Sequence, residues 1–171
     1  QKPDSVTWGA MPGVDVDAQD QVWIFTRQQP AVQIYSADGR FVRSWEPVSA
    51  RGAHHVRFDG QGNVWLTDFR RHVVEKYTSQ GQLLMTLGEA GKAGCDANHF
   101  DGPTDIVVLP EGDFFISDGY GNRRVAHFDA QGRFVKQWGS EGTAPGQFAL
   151  PHSIAADAQK RLYVADRNNA R

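Results

Sequence analysis

The sequence predicts an all-β protein of the β-propeller class, built from a repeated unit of four short antiparallel strands. Equivalent turn positions fall at Asp17, Asp59, Leu109 and Asp157, which are 42, 50 and 48 residues apart. Periods of this length are typical of propeller blades or solenoid repeats. Within each unit, short runs of aliphatic, aromatic and β-branched residues alternate with clusters of Gly, Asp, Asn and Gln. No stretch repeats its apolar residues at a sustained helical spacing, which excludes helical repeats.

The predicted elements follow in order along one partial propeller domain. The first blade covers about residues 10–48, with strands VDVD, VWIFT, VQIYS and FVRSW. The second covers 52–90, with HVRFD, VWLTD, VVEKY and LLMTLG, and the third covers 101–140, with IVVL, FFISD, VAHFD and FVKQW. Residues 149–171 supply the first two strands of a fourth. Gly39, Gly81 and Gly132 stand where the last hairpin of each full blade needs a positive φ.

Three and a half blades cannot close a ring, because propellers close with roughly four to eight. An open arc would expose the apolar flanks of its end blades and favour self-association. We therefore expect either a fragment of a longer protein, which is the favoured interpretation, or a half that pairs with a second copy.

Composition restricts the partners. The 18 basic and 20 acidic residues give a net charge of −2, so nothing suggests binding to nucleic acid or to an anionic membrane surface. No apolar run approaches the roughly 20 residues of a membrane-spanning helix. The first residues lack the features of a secretion signal. The protein is therefore either intracellular, or secreted or periplasmic with its signal already removed.

Polar residues at the blade ends indicate a functional site. Residues that precede the first strand or follow the second strand of each blade should converge on one face, around the central opening. His54 and His152 occupy the same repeat position before strand one, while Arg27, Tyr120 and Arg167 follow strand two. Imidazoles bind zinc, arginines bind carboxylates, and a tyrosine near cations can act as a base. This set predicts a metal site for a small substrate with a carboxylate and a hydroxyl. Alternatively, each histidine caps a strand and bonds to a neighbouring blade.

Other polar residues are given structural roles. The aspartates that end strand two are interpreted as hydrogen-bond acceptors between blades: Asp68, Asp118 and Asp166. Four arginines are interpreted as solvated loop charge: Arg70, Arg71, Arg123 and Arg124. The remaining histidines have no support as ligands. His99, which precedes the third blade, is given a structural role, and the others are expected to face solvent or pack between blades: His55, His72 and His127.

Between Asn98 and Arg171 the motifs NHF, PTD, SDGYGN, GRFVKQWG, PGQF, PHS and VADRNNAR closely resemble those of the peptidyl-α-hydroxyglycine α-amidating lyases, which are NHL-repeat propellers. Upstream, VWIFTR and GAHHVRFDGQGNVWLTD resemble two further pieces, so the resemblance extends over nearly the whole chain from about Pro12. It implies six blades, zinc held by three histidines, and a largely structural calcium ion in the central channel.

The resemblance also implies a reaction and residue roles. The family splits a peptide ending in α-hydroxyglycine into the peptide amide and glyoxylate. It implies that His54 and His152 are zinc ligands, that Tyr120 is the general base as a phenolate, and that Arg27 and Arg167 are active-site arginines. The third zinc histidine, and an aspartate of the calcium site, would lie in a later blade that this sequence does not contain. We therefore expect the chain alone to be inactive or very weak.

One departure concerns the loop that carries Tyr120. Asp101 and Gly121 stand where the animal enzymes have a disulfide, so this loop is less constrained. The sequence therefore resembles a bacterial-type relative whose substrate differs from a neuropeptide-like precursor.

Three functional classes stay open. The first is the zinc lyase, acting on a peptidyl-α-hydroxyglycine or a related α-hydroxy acid. The second is a non-catalytic NHL propeller that binds a protein partner on the same face. The third is a calcium-dependent propeller hydrolase such as a lactonase, ranked last because it needs a cluster of Asp, Glu and Asn at the central channel.

Overall fold

A computed structural model describes residues 2–46 and 51–171. Within these ranges the chain is almost entirely β, with fourteen strands and one short 3₁₀ turn. Three sheets have four strands each and a fourth sheet has two, so about three and a half propeller blades are present. The predicted fold class is confirmed. The predicted end of the first blade, residues 47–48, lies outside the described residues.

Each full blade is an up-and-down antiparallel sheet in chain order. The first contains β1 (Gly13–Val16), β2 (Val22–Phe25), β3 (Val32–Tyr35) and β4 (Phe41–Trp45). The second contains β5 (Ala53–Phe58), β6 (Val64–Asp68), β7 (Val73–Tyr77) and β8 (Leu83–Leu87). The third contains β9 (Pro103–Val108), β10 (Phe114–Asp118), β11 (Arg124–Phe128) and β12 (Phe134–Trp138). The partial blade contains β13 (Pro151–Ala156), β14 (Leu162–Asp166) and the 3₁₀ turn Arg167–Asn169.

The last hairpin of each full blade turns at a glycine. Gly39, Gly81 and Gly132 have φ of +82°, +88° and +79°. This is the left-handed region that side chains with a Cβ rarely enter, so the predicted requirement for glycine is confirmed.

The hydrophobic core lies between the blades. Trp23, Ile34 and Leu66 belong to the cluster between the first two blades, and Trp65 and Phe114 to the cluster between the second and third. A smaller cluster around Phe115 and Ile154 joins the third blade to the partial one. The innermost strands β1, β5, β9 and β13 pack side by side in that order. This arrangement brings the beginnings of four inner strands to one face.

Apolar side chains are exposed on both end blades. Val14 and Val16 on β1 are 58% and 50% exposed, and Tyr163 on β14 is 54% exposed. Self-association through these surfaces stays a prediction.

Two of the arginines interpreted as solvated loop charge are ion-paired within the blade instead, Arg124 fully buried and Arg71 partly buried. Arg124 is only 1% exposed and pairs with Asp118 at 2.9 Å. Arg71 pairs at 2.9 Å with Glu75, which is buried in β7. The interpretation was wrong for these two because each carries a carboxylate partner inside the blade, which the sequence spacing did not reveal.

The aspartates that end strand two bind within their own blade, so the expected role between blades was wrong. Asp68 accepts from the backbone N–H groups of Arg70 and Arg71. Asp118 accepts from Asp101 N–H at 3.0 Å, and Asp166 accepts from Leu150 N–H at 2.7 Å. Both of these donors precede the first strand of the same blade. The carboxylates therefore close the loops that border the candidate site.

Candidate functional site

β-Bulges aim three equivalent residues at the site. Between β5 and β6, Ala53 pairs with Asp68 and His55 with Thr67, so His54 is the extra residue. The same shift makes Thr104 the extra residue of β9 and His152 the extra residue of β13. A bulge redirects a side chain and is common beside active sites. The repeat therefore presents His54 and His152 from the same position of two blades, with Thr104 between them.

Tyr120 lies between the two histidines. Its hydroxyl oxygen is 3.0 Å from His54 Nε2 and 3.2 Å from His152 Nε2. The two imidazole ring centres are 4.7 Å apart, with their planes inclined at 67°. The convergence of these three side chains on one face, predicted from their repeat positions, is present in the structure.

The Thr104 carbonyl determines which nitrogen of His54 carries the proton. It lies 2.6 Å from His54 Nδ1 and 2.8 Å from His55 Nδ1. A carbonyl oxygen can only accept, so both Nδ1 atoms are protonated. The 2.9 Å approach of these two nitrogens is therefore that of two donors sharing one acceptor. In neutral His54 the lone pair is therefore on Nε2, within hydrogen-bonding distance of the Tyr120 hydroxyl.

Both site histidines are held neutral. Burial, reinforced by His55 and His152, lowers the pKa of His54 to about 3. Burial, followed by the charge of Arg167, also lowers the pKa of His152. A neutral imidazole is the form that binds a metal ion or accepts a proton. Both rings therefore have the required form at neutral pH.

The two predicted arginines flank this group, Arg27 through the Phe69 ring and Arg167 over the Tyr120 ring. The Arg27 guanidinium lies 5.1 Å from the centre of the Phe69 ring and donates to the Ala53 carbonyl at 3.1 Å. The Phe69 ring is in turn 5.0 Å from the Tyr120 ring. On the other side, the Arg167 guanidinium lies 5.9 Å from the Tyr120 ring. All five predicted site residues thus border one face.

The two histidines fit part of a zinc site. A metal-bound imidazole normally donates its other N–H to a carbonyl or carboxylate, as His54 does to Thr104. His152 Nε2 faces the same phenol oxygen as His54 Nε2. Among residues 2–46 and 51–171, however, no three or more His, Cys, Asp or Glu side chains cluster closely enough to hold a metal ion. These residues therefore fit two of the ligands that zinc uses.

The sequence interpretation missed three residues beside the site, His55, Thr104 and Asp105. His55 is partly buried and shares the Thr104 carbonyl with His54. Asp105 is fully buried next to Thr104. The signal available for the last two was the PTD motif, whose Thr and Asp precede no turn and so have no local reason to be polar.

The sequence profile of the NHL repeat matches residues 100–128 and 148–171. This chain contains NHL repeats. It also resembles the amidating lyases. It is 49% identical over 82 residues to the peptidylglycine alpha-amidating monooxygenase of Rattus norvegicus, covering 44% of this chain and 8% of that protein. It is 39% identical over 79 residues to a probable peptidyl-alpha-hydroxyglycine alpha-amidating lyase of Caenorhabditis elegans, covering 44% and 23%.

A third relative carries no activity in its name. This chain is 38% identical over 74 residues to NHL repeat-containing protein 3 of Homo sapiens, covering 42% of this chain and 21% of that protein. The matched part therefore spans less than a quarter of each of these relatives.

Solved structures bear on the fold alone, because their sequences are distant. A Bacteroides thetaiotaomicron protein of unknown function superposes with a TM-score of 0.78 at 14% identity, over 94% of this chain and 45% of that one. A streptogramin B lyase superposes with a TM-score of 0.71 at 16% identity, over 93% and 49%. This chain covers about half the length of each of these two proteins. Among its described residues, no helix is long and apolar enough to cross a membrane.

Proposed function

We propose that this NHL-repeat chain carries part of the active site of a zinc-dependent lyase. The substrate would be a peptide ending in α-hydroxyglycine, split into the peptide amide and glyoxylate, or a related α-hydroxy acid. The observation that carries the proposal is the placement of the Tyr120 hydroxyl between the Nε2 atoms of two neutral histidines. The similarity to amidating lyases supports it.

The chemistry requires one proton to move. The α-hydroxyl loses its proton, its oxygen forms the carbonyl of glyoxylate as the carbon–nitrogen bond breaks, and the leaving amide nitrogen gains a proton. Tyr120, starting as a phenolate, would accept the first proton and then return it to the nitrogen, so that one group serves as base and then as acid. Bound at His54 and His152, zinc would supply Lewis acidity toward the substrate hydroxyl.

Arg27 and Arg167 would bind the terminal carboxylate. A guanidinium can donate two parallel hydrogen bonds to a carboxylate. The ring contacts with Phe69 and Tyr120 hold the two guanidinium groups at the border of the site. The arginines would thus orient the α-carbon toward the hydroxyl of Tyr120. A calcium ion, the other proposed metal, would have a structural role.

The test is glyoxylate release from a peptide ending in α-hydroxyglycine by the zinc-loaded protein in its natural length. We expect chelation to abolish the release, and Tyr120→Phe or His152→Gln to lower it by at least a hundredfold. Matched controls are Tyr163→Phe, on the exposed face of β14, and His127→Gln, whose ring stacks on Phe115 away from the site. Absence of glyoxylate above background from zinc-loaded protein would refute the lyase.

The second candidate is a non-catalytic module that binds a protein partner on the same face. The similarity to NHL repeat-containing protein 3 favours it. The zinc content of the purified protein separates the two functions, because a binding module needs no metal at His54 and His152. Protein that retains no zinc and releases no glyoxylate would favour the module.

A further inference from the structure

Asp105 joins the two strands that carry the site histidines. Its side chain is fully buried on β9, the inner strand of the third blade. From the second blade, Arg57 on β5 donates to Asp105 Oδ2 at 2.8 Å. From the partial blade, Ser153 Oγ and Ile154 N–H, both on β13, donate to the same oxygen at 2.6 and 3.2 Å. One carboxylate oxygen therefore binds both neighbouring blades.

These contacts lie next to the two bulges. Ser153 follows His152 directly, and Arg57 lies three residues after His54 on the same strand. The adjacent Thr104 adds links to the same strands, since its carbonyl accepts from His54 Nδ1 and its hydroxyl lies 2.8 Å from the Pro151 carbonyl. A hydrogen bond to a charged, buried acceptor is stronger than one between neutral groups. The inner strands β5 and β13 are thus held to β9 close to the histidines that they carry.

We propose that Asp105 is a positioning residue that sets the spacing of His54 and His152 across the third blade. In this role Asp105 acts through its contacts with Arg57 on β5 and with Ser153 and Ile154 on β13, and not by binding the proposed substrate or metal. Its effect on metal binding rests on the proposed function. Its effect on blade spacing does not.

The chain offers a matched control in Asp15. This aspartate lies on the inner strand β1, and it also accepts the N–H of its following residue through Oδ1. Its Oδ2 accepts from Phe58 N–H of the next inner strand at 3.2 Å. In the same way, Asp105 accepts from Ile106 N–H through Oδ1 and from Ile154 N–H through Oδ2. Asp15→Asn therefore removes the same charge from a contact between blades that does not involve β13.

The first measurement is a distance between blades. Nitroxide labels at Gln61→Cys and Gln159→Cys, in the exposed first turns of the second and partial blades, are introduced with Cys95→Ser, which removes the exposed native thiol. Double electron–electron resonance then gives the distance distribution. We expect Asp105→Asn to broaden or shift it and Asp15→Asn to leave it unchanged. An unchanged distribution in Asp105→Asn, or an equal change in both variants, would overturn the proposal.

The second measurement is Zn²⁺ affinity, determined by competition with a chromophoric chelator. Loss of a residue that orients metal ligands typically costs 10–100-fold in affinity, so we expect about a tenfold loss in Asp105→Asn and none in Asp15→Asn. If His152→Gln does not weaken Zn²⁺ binding of the otherwise native protein, the proposed metal role fails, and the distance measurement still decides the role of Asp105.

A milder variant covers the case in which Asp105→Asn does not fold. Ser153→Ala removes one donor to Asp105 and leaves the carboxylate paired with Arg57. We expect a smaller change of the distance distribution in the same direction. A folded Ser153→Ala protein with a native distribution would overturn the proposal in that case.

Discussion

Replacing Arg124 with methionine should destabilise the third blade strongly, although the residue is not one of the candidate site residues. The Arg124 guanidinium is 1% exposed and pairs with Asp118 at 2.9 Å. It also donates to the carbonyls of Asp96 and His99 and to the side chain of Gln137. These bonds attach the loop before β9 to the body of the blade. Methionine fills much of the same space but provides no donor.

The size of the expected stability loss follows from the buried Asp118 carboxylate that loses its ion-pair partner. Asp118 is fully buried and, of its partners among the described residues, would keep Asn122 and the Asp101 N–H. Removing one partner of a buried ion pair costs about 3–5 kcal/mol. We therefore expect the free energy of unfolding to fall by about 4 kcal/mol, which is a large part of the 5–15 kcal/mol typical of a domain.

A pH dependence and a double variant test the same reasoning. Burial raises the pKa of Asp118, and loss of Arg124 raises it further. A folded-state pKa above the unfolded value means that proton uptake favours folding, so the defect of Arg124→Met should shrink as the pH falls toward that raised pKa. Adding Asp118→Asn removes the unpaired charge and should restore part of the lost stability at neutral pH.

Urea unfolding at pH 7.5 and 5 provides the measurement. With a slope near 2 kcal/mol per molar urea, the expected loss moves the midpoint by about 2 M. The control is Arg133→Met, whose guanidinium is 76% exposed beside Asp129, and it should leave the midpoint unchanged. A midpoint shift for Arg124→Met no larger than that of the control, or no recovery in the double variant, would refute the buried-pair argument.

Three further predictions concern the site. In metal-free protein the lowered pKa of His54, about 3, means that stability is complete above pH 6.5 and is lost as the pH falls from there. Urea unfolding should show that the native protein loses about 2 kcal/mol of its free energy of unfolding between pH 6.5 and pH 5, and that His54→Asn loses less. Equal pH profiles of the two proteins would contradict this. Gly102 has φ +79° and its added Cβ would lie 2.7 Å from Tyr120 Cβ, whereas Gly62, at φ +77°, has open space. Gly102→Ala should therefore lower glyoxylate release at least tenfold more than Gly62→Ala, although both bear similar backbone strain. Phe69→Leu removes the ring that supports Arg27, so kcat/KM should fall about three- to tenfold, while Phe41→Leu, on the outer strand β4, should have no effect. Unchanged kcat/KM in Phe69→Leu would show that the Phe69 ring does not support Arg27 in the reaction.

The sequence predicted the site residues that could be placed by their position in the repeat. His54 and His152 share a repeat position, and residues at equivalent positions of a repeat lie on the same side of the molecule. Tyr120 was predicted beside them because the end of strand two meets the start of strand one in the same blade. The roles of these side chains in metal binding and catalysis stay predictions.

The burial of Arg124 and the role of Asp105 could not be predicted. Both depend on contacts with residues distant in the sequence, since Arg124 reaches the His99 carbonyl 25 residues away and Asp105 reaches Ser153 48 residues away. The three aspartates were recognised as acceptors, but the wrong donors were expected. Which N–H group an acceptor reaches depends on the conformation of the loop around it.

The sequence by itself determined the blades, the glycine turns and the common face of the histidines, because each depends on a local pattern repeated along the chain. Tertiary structure decided the bulges at His54, Thr104 and His152, since a bulge is a property of how two strands pair. It also decided the protonation of His54, because the acceptor for Nδ1 is the carbonyl of a residue 50 positions away in the next blade. Local periodicity fixes the direction of a side chain, but only packing between blades brings its partner within hydrogen-bonding distance.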